Sequence, residues 1–378
     1  MTGLAHRGFR IGDYSRHLAR VLAGAEMETV LCGVQHVAPN KSEIGYDQVL
    51  DGPTDYFTRP DLLPHEWDRK NARRVARFLT EPRAGRRPFF LSFGLLTTHR
   101  PYPQPDSPAP ERSHRRPPAV VADTPATRYD MERFLTALDV VDEAVGIVLD
   151  AVSEAELWDD TVVVLTTDHG PAFPEMKGTL QDGGVGVSLM LHVPGIADDG
   201  RVEQALVSQL DLYPTMCELA GVATPQPTEG RSLLPLLRGE AAWVRDEVFA
   251  ETNYHANYEP GRAIRTGRYK LIRRYADPGG PLPANVDDSP PKAVMDEAGY
   301  FTVTRPAEQL VDLLIDPTER MNFTAEPAYR HIYENLSARL DAWMERTDDP
   351  LRMGAVPRPT GSRVNRQDAR SAEEPTWE

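Results

Sequence analysis

The run Thr161-Val162-Val163-Val164-Leu165-Thr166-Thr167 constrains the fold more than any other segment of the chain. It is β-branched and apolar without alternation, which suits a central strand covered on both faces, as in a parallel sheet. It follows the longest helical pattern, from about Tyr129 to Glu154, where Phe134, Leu138, Val141, Val145, Val148 and Val152 recur at steps of three and four. That stripe reads as core rather than as a cofactor surface. The same pairing occurs upstream. A helix from Asp13, an N-cap by residue type, to about Ala23 precedes the strand Thr29-Val30-Leu31-Cys32, which ends at Gly33. A helix over Trp67 to Leu79 precedes the strand Phe89 to Phe93. With a strand over Ser188 to Val193 and a helix near Asp211 to Leu219, the alternation predicts an α/β fold with a mostly parallel sheet flanked by helices.

The chain has 378 residues, of which 40% are hydrophobic, enough for one large domain plus a smaller one. After Gly230-Arg231-Ser232-Leu233-Leu234 the pattern changes. Val248-Phe249-Ala250, then Ala263 to Tyr275 around a turn at Arg265-Thr266-Gly267-Arg268, then Gln309 to Leu314 read as antiparallel strands. A helix from about Tyr329 to Glu345 is placed to cover one face of that sheet. The expected division is 1–240 for the catalytic domain, 241–346 for an α+β subdomain, and 347–378 for a tail, disordered or draped. Residues 101–127, rich in Pro, Arg and Ser, read as a surface excursion.

A formal net charge of −15 argues against nucleic acid as a partner, because phosphate backbones are bound through clustered Lys and Arg. No apolar run reaches the roughly 18 residues of a membrane-spanning helix. Cys32 and Cys217 read as buried thiols and supply no zinc signature. The first residues carry no apolar signal-peptide core, which leaves the cytoplasm as the expected compartment.

Functional groups in open α/β sheets gather beyond the carboxyl ends of the strands. His36 follows the strand ending near Gly33, His99 follows Phe89 to Phe93, and Asp168-His169 ends the Thr161 to Thr167 run. A lone histidine in such a loop is more often structural, but three polar groups at three strand ends point to a shared site. Lys177, just before Gly178, lies in the next loop; alone it reads as a solvated lysine. Asp168 offers a hard oxygen and His169 a nitrogen or a hydrogen bond, yet one carboxylate does not hold Ca²⁺ or Mg²⁺ by itself. His36, His99 and Lys177 are then placed to hydrogen-bond an anionic group or protonate a leaving group.

Several stretches, in this order, carry a family resemblance: His6-Arg7-Gly8-Phe9, Gly33-Val34-Gln35-His36-Val37, Pro88-Phe89-Phe90-Leu91 with Thr98-His99-Arg100-Pro101, and Thr166-Thr167-Asp168-His169-Gly170. Asp211-Leu212-Tyr213-Pro214-Thr215, Gly230 to Leu234, Arg265 to Leu271, and Asp312 to Asp316 with Pro317, Glu319 and Asn322 follow. The chain resembles a sulfatase of the alkaline phosphatase superfamily, and is most similar to its heparan N-sulfatase-like branch. The resemblance implies an alkaline-phosphatase-like fold and hydrolysis of sulfate esters or N-sulfates on a sulfated sugar or small molecule. It implies Ca²⁺, with Mg²⁺ as the alternative, bound by Asp168 with His169 beside it. It places His36, His99 and Lys177 at the sulfate and leaving group, and Arg100 at the substrate.

The sequence departs from the family pattern in three ways. The C/S-x-P-S-R motif that yields the formylglycine nucleophile does not occur, nor does an opening strand with paired aspartates, and Val34 stands where many relatives have lysine. Cys32 is no substitute, since Gly33-Val34-Gln35 follows it. The chain is therefore expected to be N-terminally truncated relative to the family, with no nucleophile of its own. A bare sheet edge left by an absent strand predicts poor solubility or weak Ca²⁺ binding. The alternatives are a non-catalytic sulfatase fold and a phosphoester or phosphonate hydrolase of the same superfamily.

Overall fold

A computed structural model describes residues 11–52, 56, 63–82, 85, 87–105, 115–196, 200–276, 280–358 and 362–374. The stretch His6-Arg7-Gly8-Phe9 lies outside them. The first sheet is parallel, with β1 (Glu28–Gly33) between β2 (Gln48–Val49) and β3 (Phe89–Gly94). β1 is buried along its whole length. Its Val30 and Cys32 pack with Val75, Phe78 and Leu79 of the Pro64–Thr80 helix and with Ala151 and Val152 of the Pro125–Glu154 helix. Pro125 starts that second helix, where its missing N–H is harmless, and Thr124 and Thr127 cap it reciprocally. The expected start at Asp13 is a cap, but of a short 3-10 turn (Tyr14–Arg16), and His17 then caps the α-helix Leu18–Ala23.

Two expectations are corrected. β4 (Val163–Thr166) pairs antiparallel with β5 (Leu189–His192), where a parallel neighbour was expected. Parallel neighbours are usually joined by a crossover helix; the connection here holds only the one-turn helix Asp182–Val185. Nor is β4 covered on both faces: it is half-buried, ends on an exposed Thr166, and has β5 as its single strand partner among the described residues. β3, carrying Phe89, Phe90 and Phe93, is likewise only half-buried and pairs with β1 alone. Along the long helix, Phe134 and Val152 of the expected stripe are buried together with Ala137, Val140, Ala144 and Ala151, whereas Leu138 is 38% exposed.

The second body is an antiparallel sheet in the order β6 (Glu247–Tyr254), β7 (Tyr258–Thr266), β8 (Tyr269–Arg274), β9 (Glu308–Asp312). Its two faces divide by strand alternation. Ile264, Leu271 and Leu310 face the Arg330–Arg346 helix through Leu336, Leu340 and Met344. Ala263 and Ile272, paired in register, meet Leu180 of the loop that follows β4. Lys270, next on that face, is fully buried and binds Glu319 at 2.6 Å and Asp182 at 2.5 Å, while Arg265 adds Asp182 at 3.2 Å. The small sheet therefore grips the loop carrying Lys177 with an apolar plug and two partly exposed ion pairs to Asp182.

The tail contributes as well. Val364 and Ala369 are buried, and the Asn257 side-chain amide donates to the carbonyls of Asn365 and Arg366 at 2.9 and 2.6 Å. Among the described residues, no helix is long and apolar enough to cross a membrane.

Candidate functional site

The loop after β4 is shaped by backbone contacts. A Cβ at Gly170 would lie 1.8 Å from the Gly183 carbonyl, so only glycine lets the two ends of the loop meet. The chain then curls back, with the Lys177 amide donating to the Pro171 carbonyl. Gly178 takes φ +78°, a left-handed conformation suited to glycine, and swings Lys177 toward the second body.

There the Lys177 ammonium donates to Asp287 Oδ2 at 2.8 Å. Asp287 lies between a short helical turn (Pro283–Asn285) and Ser289, which caps the Pro290–Glu297 helix. Asn285 ties this stretch to the turn between β6 and β7, its Oδ1 accepting from the Ala256 and Asn257 amides at 2.9 and 2.7 Å. His255, in that turn, has its imidazole 3.8 Å from where a Cβ on Gly178 would stand. Burial pushes Asp287 up, but the Lys177 ammonium outweighs it, and with His255 and His99 holds the carboxyl below its ordinary value. Arg100 also feels Asp287. Lys177 is therefore paired with a carboxylate that sequence reasoning did not single out, and His99 lies within its electrostatic reach. His255 was missed as a residue too, although the stretch from Thr252 to Arg262 reads from sequence as specificity-shaping.

His99 sits half-buried on the turn after β3, its amide bonded to the Leu96 carbonyl and its Nδ1 2.7 Å from the Arg100 carbonyl. Asp68, from the Pro64–Thr80 helix, fixes that turn. Its Oδ2 accepts from the Leu96 and Thr97 amides and the Thr97 hydroxyl at 2.8, 2.7 and 2.6 Å. Arg100, expected at the substrate, spends its guanidinium elsewhere. It donates twice to buried Asp130, at 2.9 and 2.5 Å, and once to the Ala172 carbonyl at 2.9 Å. It also stacks on Tyr102 and Phe173 and keeps only 9% of its side chain exposed. His36 is exposed beyond β1, on a loop whose turn is closed by Gln35, which accepts from the Val37 and Ala38 amides.

Asp168 lies just beyond β4 with its side chain 81% exposed and His169 Nε2 at 3.3 Å. The other imidazole nitrogen, Nδ1, lies 2.8 Å from the Gly170 carbonyl. A Ca²⁺-class ion takes about six to eight oxygen ligands. Among the described residues, no group of three or more His, Cys, Asp or Glu side chains converges to hold a metal. One carboxylate and one imidazole do not make such a site. Cys32 is no nucleophile either: it is fully buried, and burial, reinforced by Asp51, pushes its thiol up to about 12.

Comparison with known proteins bears on these groups. A family model described as Sulfatase matches residues 3–222, and one described as N-sulphoglucosamine sulphohydrolase, C-terminal, matches residues 176–280. Human N-sulphoglucosamine sulphohydrolase is 28% identical over 260 residues, covering 62% of this chain and 51% of that protein. An ulvan-active sulfatase of Formosa agariphila is 32% identical over 200 residues, covering 52% and 39%. The chain thus spans about half the length, or less, of these relatives. The solved structure of a 2-O GAG sulfatase superposes with a TM-score of 0.66 at 23% identity, over 91% of this chain and 77% of that one. That likeness shows the fold, which is alkaline-phosphatase-like.

Proposed function

Because this chain belongs to the sulfatase family, with the family model matching more than half of it, we propose that it carries the leaving-group side of a sulfuric ester or sulfamate hydrolase acting on a sulfated sugar. The observation that carries this reading is the 2.8 Å pairing of Lys177, from the loop after β4, with Asp287, within the electrostatic reach of His99 from the turn after β3. Cationic and hydrogen-bonding groups held on a rigid frame suit an anion whose charge grows as its bond to sulfur breaks. Lys177 donates to the sulfate and to the departing atom, His99 assists it, and His36 reaches the sulfate from β1. Arg100 acts from behind: fixed to Asp130, it holds the loop and adds its field.

In this reading Asp168 contributes one ligand to a cation of the Ca²⁺ class, with His169 beside it. The remaining ligands and the nucleophile come from outside the described residues. Such a cation supplies charge to orient the sulfate. The division near residue 240 is part of the same reading: the smaller body completes the site by presenting Asp287 and His255.

The test is binding of an N-sulfated glucosamine to the whole chain, followed by calorimetry or NMR. Lys177→Ala is expected to weaken it by about ten- to a hundredfold, the worth of one charge-assisted hydrogen bond. Equal binding by the variant and the parent would sink the assignment.

A further inference from the structure

Asp287 is an unexpected neighbour for an anion site, since a carboxylate repels sulfate. Its position is nevertheless built. Asn285 anchors it to the β6–β7 turn, with Asn285 Nδ2 held in turn by Glu259 at 2.7 Å, and Ser289 caps the helix that leads away. Lys177 stands against it with 10% of its side chain exposed, while Asp287 keeps 18%, enough to touch a ligand. If Lys177 meets the leaving atom, as proposed above, the negative charge of Asp287 lies beside that atom.

Resting on the reading above, we propose that Asp287 is a specificity-determining residue that favours leaving groups departing as a cationic amine over those departing as a neutral alcohol. The balance of the two reactions differs in charge at that atom. For a sulfamate, R–NH–SO₃⁻ + H₂O gives R–NH₃⁺ + SO₄²⁻: the N–S bond breaks, an S–O bond forms, and both protons of water end on nitrogen. For an ester, R–O–SO₃⁻ + H₂O gives R–OH + SO₄²⁻ + H⁺, and the leaving atom stays neutral. A carboxylate beside that atom forms a charge-assisted pair with the ammonium but only a neutral hydrogen bond with the hydroxyl. Lys177, already paired to Asp287, hands over a proton without leaving the carboxylate uncompensated, because the new ammonium takes its place.

The experiment uses the whole chain, by NMR titration at about pH 6, where a sugar amine is protonated. Glucosamine, N-acetylglucosamine and inorganic sulfate are titrated into the parent and into Asp287→Asn, which keeps a hydrogen-bond acceptor for Lys177 but no charge. The parent is expected to bind glucosamine roughly tenfold more tightly than N-acetylglucosamine. In Asp287→Asn that preference disappears while sulfate binds at least as well. A purely structural role for Asp287 would not move the ratio between the two sugars. Equal affinities in the parent, or a preference that survives in Asp287→Asn, overturn the proposal. Sulfate bound without amine preference overturns it alone; no sulfate binding overturns the sulfatase reading and this proposal together.

Discussion

Replacing Asp68 by alanine is expected to cost about 3 to 4 kcal/mol of stability and to dislodge His99. Asp68 is fully buried, and its Oδ2 is the acceptor for two backbone amides and one hydroxyl at the end of β3. A buried donor left without a partner costs about 1 to 3 kcal/mol; two amides cannot turn away, whereas the Thr97 hydroxyl can. Burial raises the Asp68 carboxyl above its ordinary value, against the pull of these hydrogen bonds. Asp68→Asn, which retains an oxygen acceptor, is therefore expected to lose less than half as much. Denaturant unfolding of the two variants checks this. Equal losses would mean that charge, rather than acceptor geometry, fixes the turn. Because His99 bonds back to Leu96 within the same turn, Asp68→Ala should also weaken binding of an N-sulfated glucosamine in the folded variant.

Asp211→Ala is expected to be worse, at about 3 to 5 kcal/mol, the range for breaking a buried ion pair on one side. Asp211 is fully buried and takes both arms of Arg245, with Arg245 Nε at 2.9 Å. It also accepts from the Ser208 and Arg231 amides, each at 2.8 Å. Its removal leaves a guanidinium that is only 10% exposed without a counter-ion. The double variant Asp211→Ala/Arg245→Met should recover part of the loss, since the stranded charge goes with the arginine. A double variant no better than Asp211→Ala would show that the two orphaned amides dominate. The same network explains two of the sequence motifs. Within Asp211-Leu212-Tyr213-Pro214-Thr215, the Thr215 hydroxyl donates to the Asp211 carbonyl and accepts from the Leu233 amide of the Gly230 to Leu234 stretch. Those motifs are a clasp, not chemistry.

Asp168 shows where reading the chain stops. Its place at the end of a β-branched run identifies it as a strand-end group, and the Thr166 to Gly170 pattern ties it to the family. Both follow from local order along the chain. The structure adds that, among the described residues, β4 pairs only with β5 and Asp168 and His169 do not belong to any group of three or more His, Cys, Asp or Glu side chains able to hold a metal.

What the sequence by itself determined is the set of elements and the strand-end placement of His36, His99 and Asp168. Hydrophobic period and β-branching act over a few residues, and so does the cap at Asp13. Strand direction was out of reach: β5 runs antiparallel to β4 across a connection that holds only one turn of helix, and residue preference does not encode which way a strand returns. The pairing of Lys177 with Asp287, 110 positions apart, was out of reach as well. It exists because Lys270, Asp182 and Leu180 dock the loop on one face of the small sheet, while Asn285 fixes the other side. Only tertiary packing turns a strand-end lysine and an inconspicuous Asp-Asp-Ser-Pro stretch into one pocket.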